Sequence, residues 1–287
     1  MSPVATEVKT LNEAAARAFE EGGVSVFIGY GRSSDDEPAV PVFLRKADEA
    51  DKLVFDGTCF SNLAVYLAKP EIKAMGKVGL VVKGCDRRAV NVLLREHVVE
   101  RDNLFLIGVR CAGVGDPQLG KCGQCDVHDP PDCDVVVDDA VDSPSGDASE
   151  TYAAAAEIES MSLEDRWDFW KGHMEKCIRC YACRQACPMC YCKRCIVDKT
   201  EPEWVESSAT IRGNLAWNVA RALHLTGRCV GCGECERVCP MGVPLGTINQ
   251  KIGKLVEQWY EYKAGYSPDE DGPFSTWTPE DPEIGIL

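Results

Sequence analysis

The sequence predicts an α+β protein in which an N-terminal α/β domain with a partly parallel sheet precedes a mostly α-helical C-terminal domain. Between residues 78 and 109, an apolar run, a helical segment and a second apolar run follow one another, as they do where a crossover helix joins two parallel strands. Residues 126–150 contain nine Asp or Glu and no Lys or Arg, which indicates a boundary between domains. After this boundary, apolar residues recur at helical spacing.

The N-terminal elements are identified by where apolar runs begin and end. Gly22-Gly23 and Lys69-Pro70 each end a helical pattern, because glycine and proline do not readily continue a helix. Short runs rich in Val, Ile and Phe are typical of strands. In chain order we expect a helix over residues 11–21, strands over 24–28 and 40–44, a helix over 60–68, a strand over 78–82, a helix over 87–99 and a strand over 104–109.

Three longer helices are predicted after the acidic stretch. The first begins at a capping box formed by Ser162 and Asp165. Four apolar residues recur along it at helical spacing, and we expect this stripe to pack in the core. The stripe consists of Leu163, Trp167, Trp170 and Met174. The second covers residues 210–225 and carries the stripe Ile211, Leu215, Val219 and Leu223; the third covers 247–262. The predicted boundaries are 1–140 for the α/β domain, 141–160 for an acidic linker, 161–262 for the helical domain and 263–287 for an extended acidic tail.

Composition excludes several classes of function. The chain has 287 residues, of which 45% are hydrophobic, enough for a core, and its net charge of −15 disfavours binding to nucleic acid or to an anionic membrane. No apolar run is long enough to span a membrane, and the N-terminal residues lack the basic start and apolar run of a secretion signal. We therefore expect a cytoplasmic protein whose 17 cysteines stay reduced and bind metal.

Two cysteine repeats carry the most specific signal in the sequence. Each has three cysteines separated by two residues, a fourth cysteine after three more residues, and then a proline, which is the run typical of bacterial proteins with two [4Fe–4S] clusters. Three thiolates at this spacing can face three irons of one cluster, whereas the fourth ligates the other cluster. The predicted ligand sets are Cys177, Cys180, Cys183 and Cys239 for one cluster, and Cys229, Cys232, Cys235 and Cys187 for the other.

Zinc is the alternative for these repeats. It takes four ligands, typically as two separated pairs of cysteines, which leaves no role for a third cysteine within each loop. Basic residues outnumber acidic ones between residues 171 and 237, although the chain as a whole is acidic. Arginines within the repeats can therefore offset cluster charge and tune reduction potentials. Ordinary surface charge is the alternative for each of them: Arg179, Arg184, Arg228 and Arg237.

A second group of cysteines follows the two predicted parallel strands. Cys85 comes shortly after the strand over residues 78–82, and Cys111 shortly after the strand over 104–109. The carboxyl ends of parallel strands share one edge of a sheet, where open α/β sheets bind ligands, and neighbouring strands lie about 4.8 Å apart. Cys122 and Cys125 follow in a short loop. We expect these four cysteines to hold a third [4Fe–4S] cluster, with a structural zinc ion as the alternative.

Five cysteines remain. Cys190, Cys192 and Cys195 directly follow the first repeat, and three thiols so close together favour a bound metal. They need a fourth ligand, for which we choose Cys59, and the result would be a fourth [4Fe–4S] cluster that bridges the two halves. A zinc ion at these residues, or no metal at all, is the alternative. Cys133 receives no assignment.

Two parts of the chain resemble known families. The motifs CIRCYACRQACP and HLTGRCVGCGECERVCPMGVPL, with a helical insert between them, resemble the α-helical dicluster ferredoxin modules of heterodisulfide reductase and related complexes. The segments VGLVVKGCDRRAVNVLLRE, LFLIGVRCAGVGD and KCGQCD resemble the beta subunits of deazaflavin-reducing hydrogenases and formate dehydrogenases. The second resemblance implies a [4Fe–4S] cluster held by cysteines after two strands and by the Cys-x2-Cys pair, close to an FAD.

These features support an iron–sulfur electron-transfer subunit of an anaerobic multi-subunit oxidoreductase over an enzyme in its own right. The resemblances imply that it relays single electrons between a catalytic partner, such as formate dehydrogenase or hydrogenase, and a heterodisulfide-reductase-like core containing flavin. The alternative is an FAD-containing reductase subunit that exchanges hydride with a nicotinamide or deazaflavin coenzyme. Gly29-Tyr30-Gly31 after a strand is too short for a dinucleotide fingerprint, which favours the first function. A cluster-bearing redox sensor ranks last, because the sequence contains no motif that reads DNA.

Overall fold

The fold is described from a computed structural model. The structure describes residues 10–34, 36–115, 119–123, 125–141 and 152–277, together with residues 279 and 281. The chain divides into two compact units, one up to residue 148 and the other from residue 149. Within the described residues, no helix combines the length and the apolar character that crossing a membrane requires.

The first unit is built around a mixed sheet. Its described strands lie in the order β2-β1-β3-β4-β5. The pairs β1–β3, β3–β4 and β4–β5 are parallel, whereas β2 joins the edge antiparallel to β1. The predicted partly parallel sheet is therefore confirmed. The strands are β1 (Val26–Gly31), β2 (Val40–Leu44), β3 (Val78–Val82), β4 (Leu104–Cys111) and β5 (Val135–Val141).

The crossover predicted between residues 78 and 109 is confirmed. Helix α3 (Gly84–Arg95) connects β3 to β4, and the two strands pair in register from Val78 opposite Leu104 to Val82 opposite Gly108. Every residue of β3 is buried, as expected of a parallel strand covered on both faces. Helix α1 (Leu11–Glu20) buries Leu11 and three alanines, which accounts for its Ala-rich composition.

Two parts of the first unit differ from the prediction. Residues 60–68 do not form one helix: a short 3-10 helix covers Leu63–Tyr66, and a separate helix α2 (Pro70–Lys73) begins at the proline. Proline is well tolerated at the first position of a helix, so it begins a helix here instead of ending one. Strand β5 lies inside the acidic stretch, because its run of three valines pairs with β4 despite the acidic neighbours.

The second unit is helical, which confirms the predicted fold class. Helix α5 begins at the predicted cap Ser162, whose hydroxyl accepts a hydrogen bond from the Asp165 amide. Helix α4 lies within the stretch predicted as a linker, and the domain boundaries themselves remain a prediction. The helices are α4 (Ala153–Ser160), α5 (Leu163–Lys176), α6 (Ala182–Gln185), α7 (Ile211–His224), α8 (Glu234–Arg237) and α9 (Leu245–Tyr260).

Both predicted apolar stripes of this unit are only partly buried. On α5, Met174 is fully buried, but Leu163 is 81% exposed and Trp167 is also exposed. On α7, Leu223 is 59% exposed, and the buried face instead carries Gly213, Asn214, Trp217, Asn218, Arg221 and Ala222. The core expectation for the α5 stripe therefore holds for Met174 and for the partly buried Trp170, which pack in and against the core, but not for Leu163 and Trp167. Helix α7 turns a largely polar face inward. The cysteine repeats lie on that side.

Candidate metal centres

The two cysteine repeats adopt the same loop conformation. In the first repeat, Arg179 and Tyr181 have φ angles of 58° and 61°; in the second, Gly231 and Gly233 have 69° and 68°. Residues other than glycine rarely adopt this left-handed backbone conformation. Arg179 is held there because its guanidinium donates to the backbone oxygens of Glu206 at 2.8 Å and Ser208 at 3.2 Å. A short helix, α6 or α8, then carries the third cysteine of each repeat.

The first predicted ligand set lines one cavity. Including the part open to solvent, the cavity has a volume of about 370 Å³. Burial, opposed by Arg221 and assisted by the other three cysteines of the set, raises the pKa of Cys183 to about 11. The structure thus brings together thiols from both repeats. The cavity is lined by Cys177, Cys180, Cys183 and Cys239, with Asn218 and Trp217 of α7 among the other residues.

The second predicted set also comes together. Burial, opposed by Arg221 and assisted by Cys229 and Cys232, raises the pKa of Cys235 to about 12. A hydrogen bond with Cys190, followed by burial, raises the pKa of Cys187 well above its usual value, and Cys232 adds to the increase. Cys187 therefore lies beside the thiols of the opposite repeat. Cys183 of the first set also raises the pKa of Cys235 in the second, so the two sets are neighbours.

Polar groups of α7 and α9 surround these thiols. Asn214 Nδ2 donates to the backbone oxygens of Met174 at 2.9 Å and Cys177 at 2.8 Å. Asn249 Nδ2 lies 3.6 Å from Cys235 Sγ. These amides fix the end of α5 and contact one cysteine of the second predicted set. Sequence reasoning missed Asn214, Asn218, Asn249 and Arg221; the available signal was the helical spacing of 214, 218 and 221 between the two repeats.

Two observations indicate that these residues suit [4Fe–4S] clusters. Metal ligation requires thiolates, and buried thiols with raised pKa values need the positive charge of a metal centre to ionise. The Nε atoms of Arg179 and Arg221 are buried donors without a hydrogen-bond partner in the described structure, which suits them to the anionic sulfur of a cluster.

The cysteines of the first unit surround the carboxyl edge of β3 and β4. Burial, followed by the nearby Asp86, raises the pKa of Cys85 well above its usual value, and Cys125 adds to the increase. Burial also raises the pKa of Cys111, with contributions from Cys122 and Cys125. The structure therefore groups all four cysteines predicted for the third cluster, and their role as ligands remains a prediction.

Close backbone packing brings the loop that contains Cys125 to Cys85. A Cβ atom added to Gly84 would lie 1.8 Å from the backbone oxygen of Val127, so only glycine permits this approach. On the other side, Asn62 Nδ2 donates to the backbone oxygen of Cys85 at 3.2 Å. Lys121 Nζ donates to the backbone oxygen of Phe60 at 2.8 Å. Three loops are thereby held at the sheet edge.

Cys59 is fully buried in this first unit. Its Sγ accepts a hydrogen bond from the Asp56 amide at 3.4 Å. Burial raises the pKa of Cys59 to about 12; nearby Lys83 lowers this pKa and Cys111 raises it. Cys59 therefore neighbours the proposed third site. Cys190, Cys192 and Cys195 belong to the second unit, so the fourth cluster predicted for these four cysteines remains a prediction.

Comparison with known proteins agrees with this geometry. Residues 176–244 match the family model described as a 4Fe–4S dicluster domain. This segment is therefore similar to dicluster domains of that family. It contains both cysteine repeats, helix α7 between them and all four cysteines that line the cavity described above. The dicluster domain covers only part of the chain, so relatives are needed to interpret the remainder.

Two curated relatives extend across most of the chain. The "F420-dependent formate dehydrogenase subunit beta" of Methanocaldococcus jannaschii is 23% identical, over 82% of this chain and 85% of the relative. The "F420-dependent formate dehydrogenase 1 subunit beta" of Methanococcus maripaludis is 21% identical, over 89% of each chain. The predicted resemblance to formate dehydrogenase beta subunits and to a dicluster module is therefore confirmed.

Proposed function

We propose that this chain is the iron–sulfur electron-transfer subunit of a multi-subunit formate dehydrogenase. The relatives are formate dehydrogenase beta subunits, and the segment that matches a 4Fe–4S dicluster domain contains all eight cysteines of the two predicted sets. The observation that carries the proposal is the cavity in which Cys239 of the second repeat joins three cysteines of the first. When bound, [4Fe–4S] clusters accept and release single electrons at potentials that the protein sets.

The chain's own residues prepare the two sites for this role. Each loop presents three thiols in a fixed conformation and supplies a fourth to its neighbour. Helix α7 separates the repeats in sequence, and its residues Asn214 and Arg221 bond to the backbone oxygens of Cys177 and Cys183 in the first loop. Burial of Cys183 and Cys235 limits access by water, which strengthens the electrostatic influence of nearby charges.

Within that function we propose a more specific arrangement. The subunit would accept electrons from a catalytic formate dehydrogenase or hydrogenase partner and deliver them to a heterodisulfide-reductase-like, flavin-containing core of the kind that performs electron bifurcation. The resemblance of the dicluster motifs to heterodisulfide reductase modules supports this arrangement. Sixteen cysteines would serve as ligands in four sites, with zinc as the alternative at the third and fourth.

A second candidate function is an FAD-containing reductase that exchanges hydride with a deazaflavin coenzyme. The observation in its favour is the description of both relatives as F420-dependent. Flavin content separates the candidates. Stoichiometric flavin released by acid from anaerobically purified protein favours the reductase, whereas protein with iron and no flavin favours electron relay alone.

The decisive test is the metal content of protein purified without oxygen. About eight irons and eight acid-labile sulfides per chain would match the dicluster domain, about twelve would add the third site and about sixteen the fourth. Dithionite should produce low-temperature paramagnetic signals. Colourless protein that contains zinc and gives no such signal contradicts the proposal. The partner is tested by anaerobic co-purification with formate dehydrogenase activity, and a chain always recovered alone contradicts the subunit role.

A further inference from the structure

Helix α7 carries a buried guanidinium that belongs to neither cysteine repeat. Arg221 is only 7% exposed. Its Nη2 atom donates to the backbone oxygen of Cys183 at 3.2 Å, and its Nε atom has no hydrogen-bond partner in the described structure. A cation this deeply buried is costly unless negative charge surrounds it. The surroundings of Arg221 therefore indicate what it is for.

Thiols of both cluster sites surround this guanidinium. Arg221 lowers the pKa of Cys183 in the first set and of Cys187 and Cys235 in the second, although burial or hydrogen bonding leaves each of these values raised. It also forms a side-chain hydrogen bond with Cys190, which is three residues beyond Cys187. Burial lowers the pKa of Arg221 itself, but the thiolates outweigh burial and raise it above its usual value.

We propose that Arg221 is a positioning residue shared by both cluster sites, where its fixed positive charge favours reduction of each cluster. This inference rests on the proposed function, because it requires both cysteine sets to hold clusters. Reduction adds one electron from an external donor, such as dithionite, and makes the site one unit more negative; no bond to the protein forms or breaks. Guanidinium remains protonated throughout, and in a poorly hydrated site its attraction for the added charge is weakly screened.

The same helix supplies a matched control. Arg212 has the same charge, but its side chain is 91% exposed, and it pairs with Glu206 at 3.4 Å. Water and salt screen a charge at that position. Comparing the two arginines therefore separates a local effect of Arg221 from the effect of changing the net charge of the protein by one.

The experiment is an anaerobic redox titration of the full chain, followed by low-temperature paramagnetic spectra of each cluster. In Arg221→Gln, we expect both reduction potentials to fall by about 59 mV or more, corresponding to about a tenfold change in a one-electron equilibrium constant. Arg221→Lys should retain most of the wild-type potentials because it keeps the charge. Arg212→Gln should leave both potentials unchanged. Iron content is measured in every sample.

Each outcome has a defined meaning. Wild-type protein without clusters would refute the proposed function, whereas a loaded Arg221→Gln variant with unchanged potentials would refute only the role of Arg221. Loss of iron from both Arg221→Gln and Arg221→Lys would also refute it, since the residue would then be purely structural. Should only the Gln variant lose iron, Arg221→His provides the test: both potentials should fall as the imidazolium deprotonates between about pH 5 and pH 8, and pH-independent potentials would refute the role.

Discussion

Cys85 allows the third metal site to be tested by changing a single atom. Burial raises the pKa of this thiol, so bound iron is needed to hold it as a thiolate. Cys85→Ser should lower the iron content by one cluster, about four irons per chain. The measurement is iron and acid-labile sulfide in anaerobically purified protein, together with the loss of one paramagnetic signal.

Cys133 provides the matched control for that substitution. Burial raises its pKa as well, to about 11, and among nearby charges the Arg87 guanidinium has the largest effect and lowers it. The Cys133 Sγ atom lies 3.6 Å from the backbone oxygens of both Pro130 and Pro131. Cys133→Ser should keep all its iron. If Cys85→Ser also kept all its iron, Cys85 would not be a ligand.

At the residue scale, cysteine spacing predicted which thiols lie together, but it could not identify the residues around them. A Cys-x2-Cys-x2-Cys run is local, so its geometry can be inferred from a few residues. The hydrogen bond from Arg221 to Cys183 joins positions 38 residues apart. Only the packing of α7 against the first loop makes that bond, and packing of distant segments is not encoded in any short pattern.

Among the helices, Asn214 connects α7 to the end of α5. Its amide donates to two carbonyl oxygens, those of Met174 and Cys177, and its side chain is buried. Asn214→Ala would leave both carbonyls without this donor, and a buried unpaired polar group costs about 1–3 kcal/mol. We expect a loss of stability of that size, measured by anaerobic denaturant unfolding of the iron-loaded protein.

Leu223→Ala on the exposed side of the same helix is the control, and its effect should stay within about 0.5 kcal/mol. Equal destabilisation by the two substitutions would show that helix propensity matters here and the amide bridge does not. Loss of iron in Asn214→Ala alone would be a stronger result, because the bridge also holds the backbone of Cys177.

Helices α4 and α9 are joined by an ion pair that responds to pH. Glu159 of α4 accepts hydrogen bonds from Lys251 and Lys254 of α9, the latter at 2.8 Å. These two hydrogen bonds, of which the one from Lys251 has the larger effect, lower the pKa of Glu159 to about 2. Because the folded value is depressed, the stabilisation is complete above the unfolded value of about 4.5 and disappears as the pH falls toward 2.

The melting temperature of wild type should therefore exceed that of Glu159→Gln at pH 7, and the difference should shrink below about pH 4.5. The effect should be small, because exposed ion pairs contribute little. Glu157→Gln, on the exposed face of the same helix, is the control for the loss of one carboxylate. A constant difference between wild type and Glu159→Gln at every pH would contradict the ion-pair explanation.

At the element scale, the parallel crossover was predictable, whereas the burial of the second unit's helices was not. Strands β3 and β4 are continuous apolar runs because both faces are covered. Helix α7 breaks the usual rule that the apolar face is buried, since Asn214, Asn218 and Arg221 turn toward the cysteine loops. A metal site that needs donors and positive charge reverses the ordinary hydrophobic pattern.

For the whole molecule, the main question is how iron is divided between the two units. The acidic stretch marked the boundary region, but strand β5 within it belongs to the sheet of the first unit. Proline, glycine and acidic residues dominate positions 142–150, so this part of the sequence is the place for an inserted protease site. Cleavage of iron-loaded protein there, followed by anaerobic separation of the halves, measures the division directly.

We expect the C-terminal half to keep about eight irons and the N-terminal half about four. Both predicted cysteine sets of the dicluster segment lie within residues 177–239, and the third predicted set lies within residues 85–125, so cutting between them breaks none of these three sets. A fourth cluster that joined Cys59 to Cys190, Cys192 and Cys195 would behave differently, because the cut halves could separate only by destroying it. Loss of about four irons on separation would therefore support the bridging cluster, and full retention in the two halves would exclude it.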